Sequence, residues 1–291
     1  MKSNTFDVVV VGAGISGLTA AAAAASDPSL RVALVTTGPG SFVFGPGWIK
    51  AQGISSQSET RELNVAISFS RDTTRQAGCP FAGDLRGMRH LPTLLGEFQS
   101  VMLAPATVWN SEPENIPTAI VGISGLSSFD QRFLAERLKD NANSIGLKSS
   151  YVARQVDLAQ DFGAPVTLVR LAQRFDRELN FRAELCDSLR TAANGFERIL
   201  VPGMLGLHSD EKRRIDFEAN VGCIVSEIPT LPPSVPSLRV FHRLKAHLQF
   251  IGVELYEGFP VSKLDIQDGR CTALEIASPG RPMILHEEMW F

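Results

Sequence analysis

The feature that most constrains this chain lies at its start. Phe6 to Val11 is a short β-branched run, and Gly12-Ala13-Gly14-Ile15-Ser16-Gly17 follows without a break. Such a run reads as a parallel strand buried on both faces. Leu18 to Ala25 is an alanine-rich helix former that stops at Asp27-Pro28, and Arg31 to Thr36 reads as a second parallel strand. Together they make one βαβ unit of about 30 residues. Within it Gly12 permits the tight turn, Gly14 lets a pyrophosphate approach the backbone, and Gly17 lets the helix pack closely on the strand. The helix N-terminus adds amide donors and the positive end of its dipole. This context predicts dinucleotide or flavin binding through Gly12, Ala13, Gly14, Ser16 and Gly17.

One partner of that motif is missing. An Asp or Glu ordinarily ends the second strand and holds the ribose hydroxyls. Here the chain reads Thr36-Thr37-Gly38. Hydroxyls bond a ribose less strongly than a carboxylate does, which argues mildly against tight NAD binding. Thr36, Thr37 and Gly38 remain the expected cofactor contacts at this end.

The same N-terminal stretch superficially resembles a signal peptide or membrane helix. Asp7, Gly12, Gly14 and Gly17 interrupt it, whereas a spanning helix needs about 20 predominantly apolar residues. A membrane link is therefore expected only through a partner. With 44% hydrophobic and 20% charged residues and a net charge of -3, the chain is neither disordered nor a broad nucleic-acid binder. Its 291 residues allow roughly two domains. Cys79, Cys186, Cys223 and Cys271 form no C-x-x-C pair, and none of the five histidines has an H-E-x-x-H partner. No metal is expected, and four reduced thiols fit a cytoplasmic protein. No G-x-S-x-G elbow supports hydrolase chemistry.

Downstream, Ser58 to Ile67 predicts a short helix, and Gly78 to Pro117 reads as irregular. Thr118 to Val121 predicts a strand, Gly122-Ile123-Ser124-Gly125 a turn, and Ser127 to Lys139 a helix with Ser128 and Gln131 as a capping box. A helix N-terminus at Ser124 to Ser127 would suit a substrate phosphate. Strands and helices alternate to Ile228, and a helix after Pro232-Pro233-Ser234 runs to about Ile251 with Arg239 and His242 on its polar face. Val253 to Tyr256, Val261 to Ile266 and Cys271 to Ile276 read as a small antiparallel meander, turning at Gln267-Asp268-Gly269.

Three stretches carry a resemblance to a known family: Phe6 to Leu18 with Val35-Thr36-Thr37-Gly38; Val121-Gly122-Ile123-Ser124-Gly125-Leu126 with Phe129; and Leu231-Pro232-Pro233-Ser234-Val235 with Arg239. In these the chain resembles the B subunit of the anaerobic glycerol-3-phosphate dehydrogenase. The resemblance implies a flavin-bearing subunit (FMN or FAD) that works with a larger flavoprotein subunit and a membrane-associated iron–sulfur subunit. Such a complex oxidises sn-glycerol 3-phosphate to dihydroxyacetone phosphate and passes electrons to quinone in anaerobic respiration. It implies a place on the inner face of the cell membrane, held through the partners. Family members continue beyond Phe291, so the chain reads as truncated, with an apolar sheet edge left by Trp290 and Phe291.

The expected architecture is α/β: a Rossmann-like FAD/NAD(P)-binding flavoprotein domain of residues 1–51 and 251–291, an inserted α/β domain of residues 52–250, and the antiparallel meander. Ser124, Gly125 and Arg239 are the candidate substrate contacts, and no residue is singled out as the catalytic base. The rival readings are a non-catalytic assembly partner and a free-standing NAD-dependent dehydrogenase.

Overall fold

The computed structural model describes residues 5–50, 57–112, 115–144, 146, 150–158, 166–268, 270–277 and 282–290. Ala51 and Gln52 at the expected domain boundary, Gly269 of the expected hairpin turn, and Phe291 lie outside the described residues. In chain order the elements are β1 (Thr5–Val11), α1 (Ile15–Ala24), β2 (Val32–Thr36), α2 (Gln57–Gln76), β3 (Phe81–Ala82), β4 (Arg89–Pro92), β5 (Phe98–Val101), β6 (Ala104–Pro105), α3 (Ala106–Trp109), β7 (Thr118–Ile123) and α4 (Gln131–Ser144). There follow β8 (Tyr151–Val156), α5 (Leu168–Arg177), α6 (Leu179–Ala192), β9 (Arg198–Pro202), α7 (Glu211–Val221), β10 (Ile224–Ile228), α8 (Val235–Phe250), β11 (Glu254–Glu257), β12 (Val261–Gln267), β13 (Arg270–Ile276) and β14 (Met283–Trp290). They fall into two compact units: Met1–Phe42 with Leu244–Phe291, and Val43–Arg243.

The first unit is Rossmann-like. Its six-stranded sheet has the order β11-β2-β1-β14-β13-β12. β11, β2, β1 and β14 run parallel, and β14, β13 and β12 form an antiparallel meander. Every residue of β2 is buried, as its unbroken apolar run requires. Phe6, Val9, Ala33, Val35, Leu274, Ile276 and Leu285 form the core. Two expectations change here. The strand read from Val253 to Tyr256 is not part of the meander: β11 pairs parallel with β2, joining Glu257 to Thr36. A short apolar run carries no sign of its pairing direction, so the sequence could not show this. The last strand is also no sheet edge. β14 lies between β1 and β13, and the edges are β11 and β12.

The second unit holds a parallel sheet of order β10-β9-β7-β8. Ile120, Val121, Leu134, Leu138, Phe175 and Leu200 belong to its core. α2 runs 20 residues, well past the expected Ile67. Its last turns hold Thr73 and Thr74, which are buried, and the Thr74 hydroxyl accepts from the Phe81 amide. That tertiary contact sustains a helix through residues of modest propensity. The stretch 78–117 is not irregular: β3 pairs with β6 and β4 with β5, both antiparallel. Strands of two to four residues are too short for alternation to register. Finally, α4 begins at Gln131 rather than near Ser127. Asp130, not Ser128, caps it, its Oδ1 accepting from the amides of Arg132 and Phe133 at 2.9 and 3.0 Å.

Candidate functional site

At the carboxyl end of β1 the chain turns through Gly12, whose φ of +108° places it where side chains are strained. The Gly12 amide donates to the Val35 carbonyl at 2.8 Å, so the turn is tied to β2. α1 then opens at Gly14 with no side-chain cap and no acidic residue in its first turn. No side chain therefore caps its N-terminal amides, and no carboxylate of the first turn offsets the positive end of its dipole. The motif's glycines do different work. A β-carbon at Gly17 would stand 1.9 Å from the Gly12 carbonyl oxygen, so that glycine is demanded by packing. A β-carbon at Gly14 would meet nothing within 4 Å, so that glycine borders open space. Ala13 is buried and Ser16 exposed. The loop after β2 comes close, since a β-carbon at Gly40 would lie 3.0 Å from the Gly14 α-carbon.

An open, uncapped helix N-terminus behind a side-chain-free backbone is what a dinucleotide pyrophosphate requires. The turn fits that group. The end of β2 behaves differently. Thr36 is buried, and its hydroxyl is spent locally, donating to the Gly38 carbonyl at 2.5 Å and accepting from the Gly38 amide at 3.1 Å. Thr36 therefore shapes the loop, while Thr37 is exposed and Gly38 half-buried.

The second group of candidates is arranged against expectation. Residues 124–127 precede α4 and present no helix N-terminus, because the helix starts at Gln131. The Ser124 amide donates to the Val156 carbonyl at 2.9 Å, and Gly125 turns the chain with φ +80°. Arg239 does not lie on a solvated face: it is 4% exposed. Its Nη1 and Nη2 meet the Glu227 carboxylate at 2.7 and 2.9 Å, Nε donates to the Gly206 carbonyl at 2.7 Å, and Nη1 also reaches the Thr107 hydroxyl at 3.2 Å. A guanidinium has five N–H donors, and the protein interior takes four of these contacts.

Sequence reading missed that partner. Glu227 sits in an apolar strand and is fully buried. Burial alone drives its carboxyl up, but the Arg239 charge and hydrogen bonds from Arg239, the Leu205 amide and Thr107 outweigh it and hold it below the ordinary carboxylate value. Glu227 also accepts from the Met204 and Leu205 amides, and Asp176 from the Leu207 and His208 amides. The two carboxylates fix the loop after β9. A lone acid in a buried strand was the available sign.

Residues 7–77 match the FAD binding domain family. That span contains the glycine turn and the end of β2, so the cofactor is a flavin, FAD. Among curated proteins, the chain is 27% identical to the B subunit of anaerobic glycerol-3-phosphate dehydrogenase from Glaesserella parasuis, over 91% of this chain and 69% of that one. It is 26% identical to the protein of the same name from Yersinia pestis, over 92% and 70%. Over nearly its whole length, this chain is similar to the B subunit of anaerobic glycerol-3-phosphate dehydrogenase. Among solved structures, 3-ketosteroid delta1-dehydrogenase from Sterolibacterium denitrificans overlaps 98% of the chain at 15% identity and a TM-score of 0.39. This chain spans 46% of the length of that one.

Among the described residues no group of three or more His, Cys, Asp or Glu could hold a metal ion, and no helix is long and apolar enough to cross a membrane.

Proposed function

We propose that this chain is the flavin-binding subunit of a sn-glycerol-3-phosphate:quinone oxidoreductase, oxidising its substrate to dihydroxyacetone phosphate or relaying the electrons. The reading rests on one observation above all. A β-carbon at Gly14 would meet nothing within 4 Å, while one at Gly17 would stand 1.9 Å from the Gly12 carbonyl oxygen, so the turn is packed at Gly17 and open at Gly14, which is the room a ligand's pyrophosphate needs. The Glaesserella parasuis and Yersinia pestis proteins, similar over nearly the whole chain, are named as B subunits of anaerobic glycerol-3-phosphate dehydrogenase, which supports the dehydrogenase part of this reading. Bound flavin would supply a hydride acceptor for a carbinol carbon. This chain's contribution is to hold the pyrophosphate at the amides behind Gly12, Ala13, Gly14, Ser16 and Gly17. In this reading residues 52–250 are inserted into the flavin domain of residues 1–51 and 251–291. A larger flavoprotein subunit and a membrane-associated iron–sulfur subunit are its partners, at the cytoplasmic face of the membrane.

The position of Arg239 bears on where substrate phosphate is held. Arg239 is buried and makes four hydrogen bonds inside the second unit, which favours leaving the phosphate to the larger subunit. Absorption spectra of the purified chain test the proposal. Visible flavin absorption that bleaches on adding sn-glycerol 3-phosphate supports oxidation on this chain. Flavin that bleaches only with the partner subunits present supports electron relay. No flavin, even after adding FAD and FMN, supports the assembly-partner reading instead.

A further inference from the structure

The carboxylate that ordinarily ends β2 is absent, and the Thr36 hydroxyl is committed to Gly38. The register of the neighbouring edge strand brings a carboxylate to the same level. Glu257 ends β11 and pairs directly with Thr36 in the parallel ladder. The amides of the next two residues, Gly258 and Phe259, both donate to the Thr36 carbonyl, at 2.8 and 3.3 Å. The Glu257 backbone is thus fastened beside the end of β2, one strand spacing away, about 4.8 Å. A glutamate side chain covers a comparable distance. Lys245 on α8 holds one carboxylate oxygen, Oε2, at 2.5 Å. The other, Oε1, has no partner among the described residues, and the side chain is 41% exposed.

We propose that Glu257 replaces the missing β2 acid and holds the adenosine ribose hydroxyls of FAD. This rests on the flavin reading above and concerns only how the nucleotide half is recognised. A carboxylate accepts both hydroxyls of a ribose diol, which a threonine already bonded to its own loop does not. The loss of the acid from β2 is then a displacement by one strand and not a loss of the function.

The group recognised exists in FAD but not in FMN, which carries no adenosine ribose, and this gives the test. FAD and FMN are titrated into wild type, Glu257→Ala and Lys245→Ala, with binding read by flavin fluorescence. A charge-assisted hydrogen bond at a half-exposed site corresponds to about tenfold in affinity. The expected result is a roughly tenfold weaker FAD affinity for Glu257→Ala, with FMN affinity unchanged. Lys245→Ala breaks the ion pair but keeps the carboxylate, and it retains FAD affinity within about twofold. Equal FAD affinity in Glu257→Ala and wild type overturns the proposal. So does an equal loss in both variants, which would assign the effect to the ion pair's structural role. Failure of wild type to bind either flavin would instead remove the flavin reading itself.

Discussion

The guanidinium of Arg239 and the carboxylate of Glu227 meet at 2.7 and 2.9 Å inside the second unit, with side chains 5% and 0% exposed. Because Glu227 also receives the Met204 and Leu205 amides and Arg239 the Gly206 carbonyl, the pair anchors a loop as well as itself. Removing one buried charge leaves the other uncompensated, at a cost of about 3–5 kcal/mol. Arg239→Met should destabilise the chain by that order in urea unfolding. The double variant Arg239→Met with Glu227→Gln, which keeps an acceptor for both amides, should lose clearly less. Equal losses would show that the charge pairing is not what matters.

The same pair sets an acid limit. The folded-state value of Glu227 lies below its unfolded value. Its stabilising contribution is therefore present above the ordinary glutamate value of about 4.3 and is lost as pH falls through the folded value. Unfolding followed from pH 7 downward should show wild-type stability declining at the acid end. Arg239→Met should lack this part of the decline.

The glycine turn separates binding from folding. Gly14→Val places a side chain in open space and should abolish FAD binding while leaving the unfolding midpoint nearly unchanged. Gly17→Ala drives a β-carbon to 1.9 Å from backbone, and should destabilise the fold by about 1–3 kcal/mol or more, as overpacking does. Flavin titration and thermal unfolding of both variants measure this. A Gly14→Val chain that binds FAD like wild type would contradict the assignment of that glycine to the ligand.

Alkaline pH should act through Cys79. Burial pushes its thiol up to about 12, the charges of Arg243 and Arg239 countering only part of the effect. The folded chain then keeps a proton that the unfolded thiol releases from about 8.5 upward, so stability falls as pH rises between those values. The native thiol should also resist alkylation at pH 8. Mass spectrometry of iodoacetamide-treated native and denatured chain checks this: Cys79 should be modified only in the denatured sample.

At the start of α4 the structure makes a plain choice between two caps. Asp130→Ala removes the acceptor for two amides and should cost about 1 kcal/mol. Ser128→Ala should be nearly neutral. Chemical denaturation of the two variants distinguishes them, and the reverse ranking would move the helix start back toward Ser127.

Whatever depends on neighbours along the chain was legible in the residues alone. Phe6 to Thr36 announces strand, turn, helix and strand because buried parallel strands need unbroken apolar runs and the turn needs glycine where no side chain fits. The β2 terminus without an acid was equally legible, since it depends on one position. Contacts between residues distant in sequence were settled only by the folded chain. β11 looks like meander until its register with β2 is seen, because an edge strand does not encode its neighbour or direction. Arg239 looks solvated until Glu227, 12 positions earlier, is brought against it, because the identity of a buried charge's counterion is a property of packing. Glu257 beside Thr36 belongs to the same class: 221 positions separate them in the chain, and only the sheet makes them neighbours.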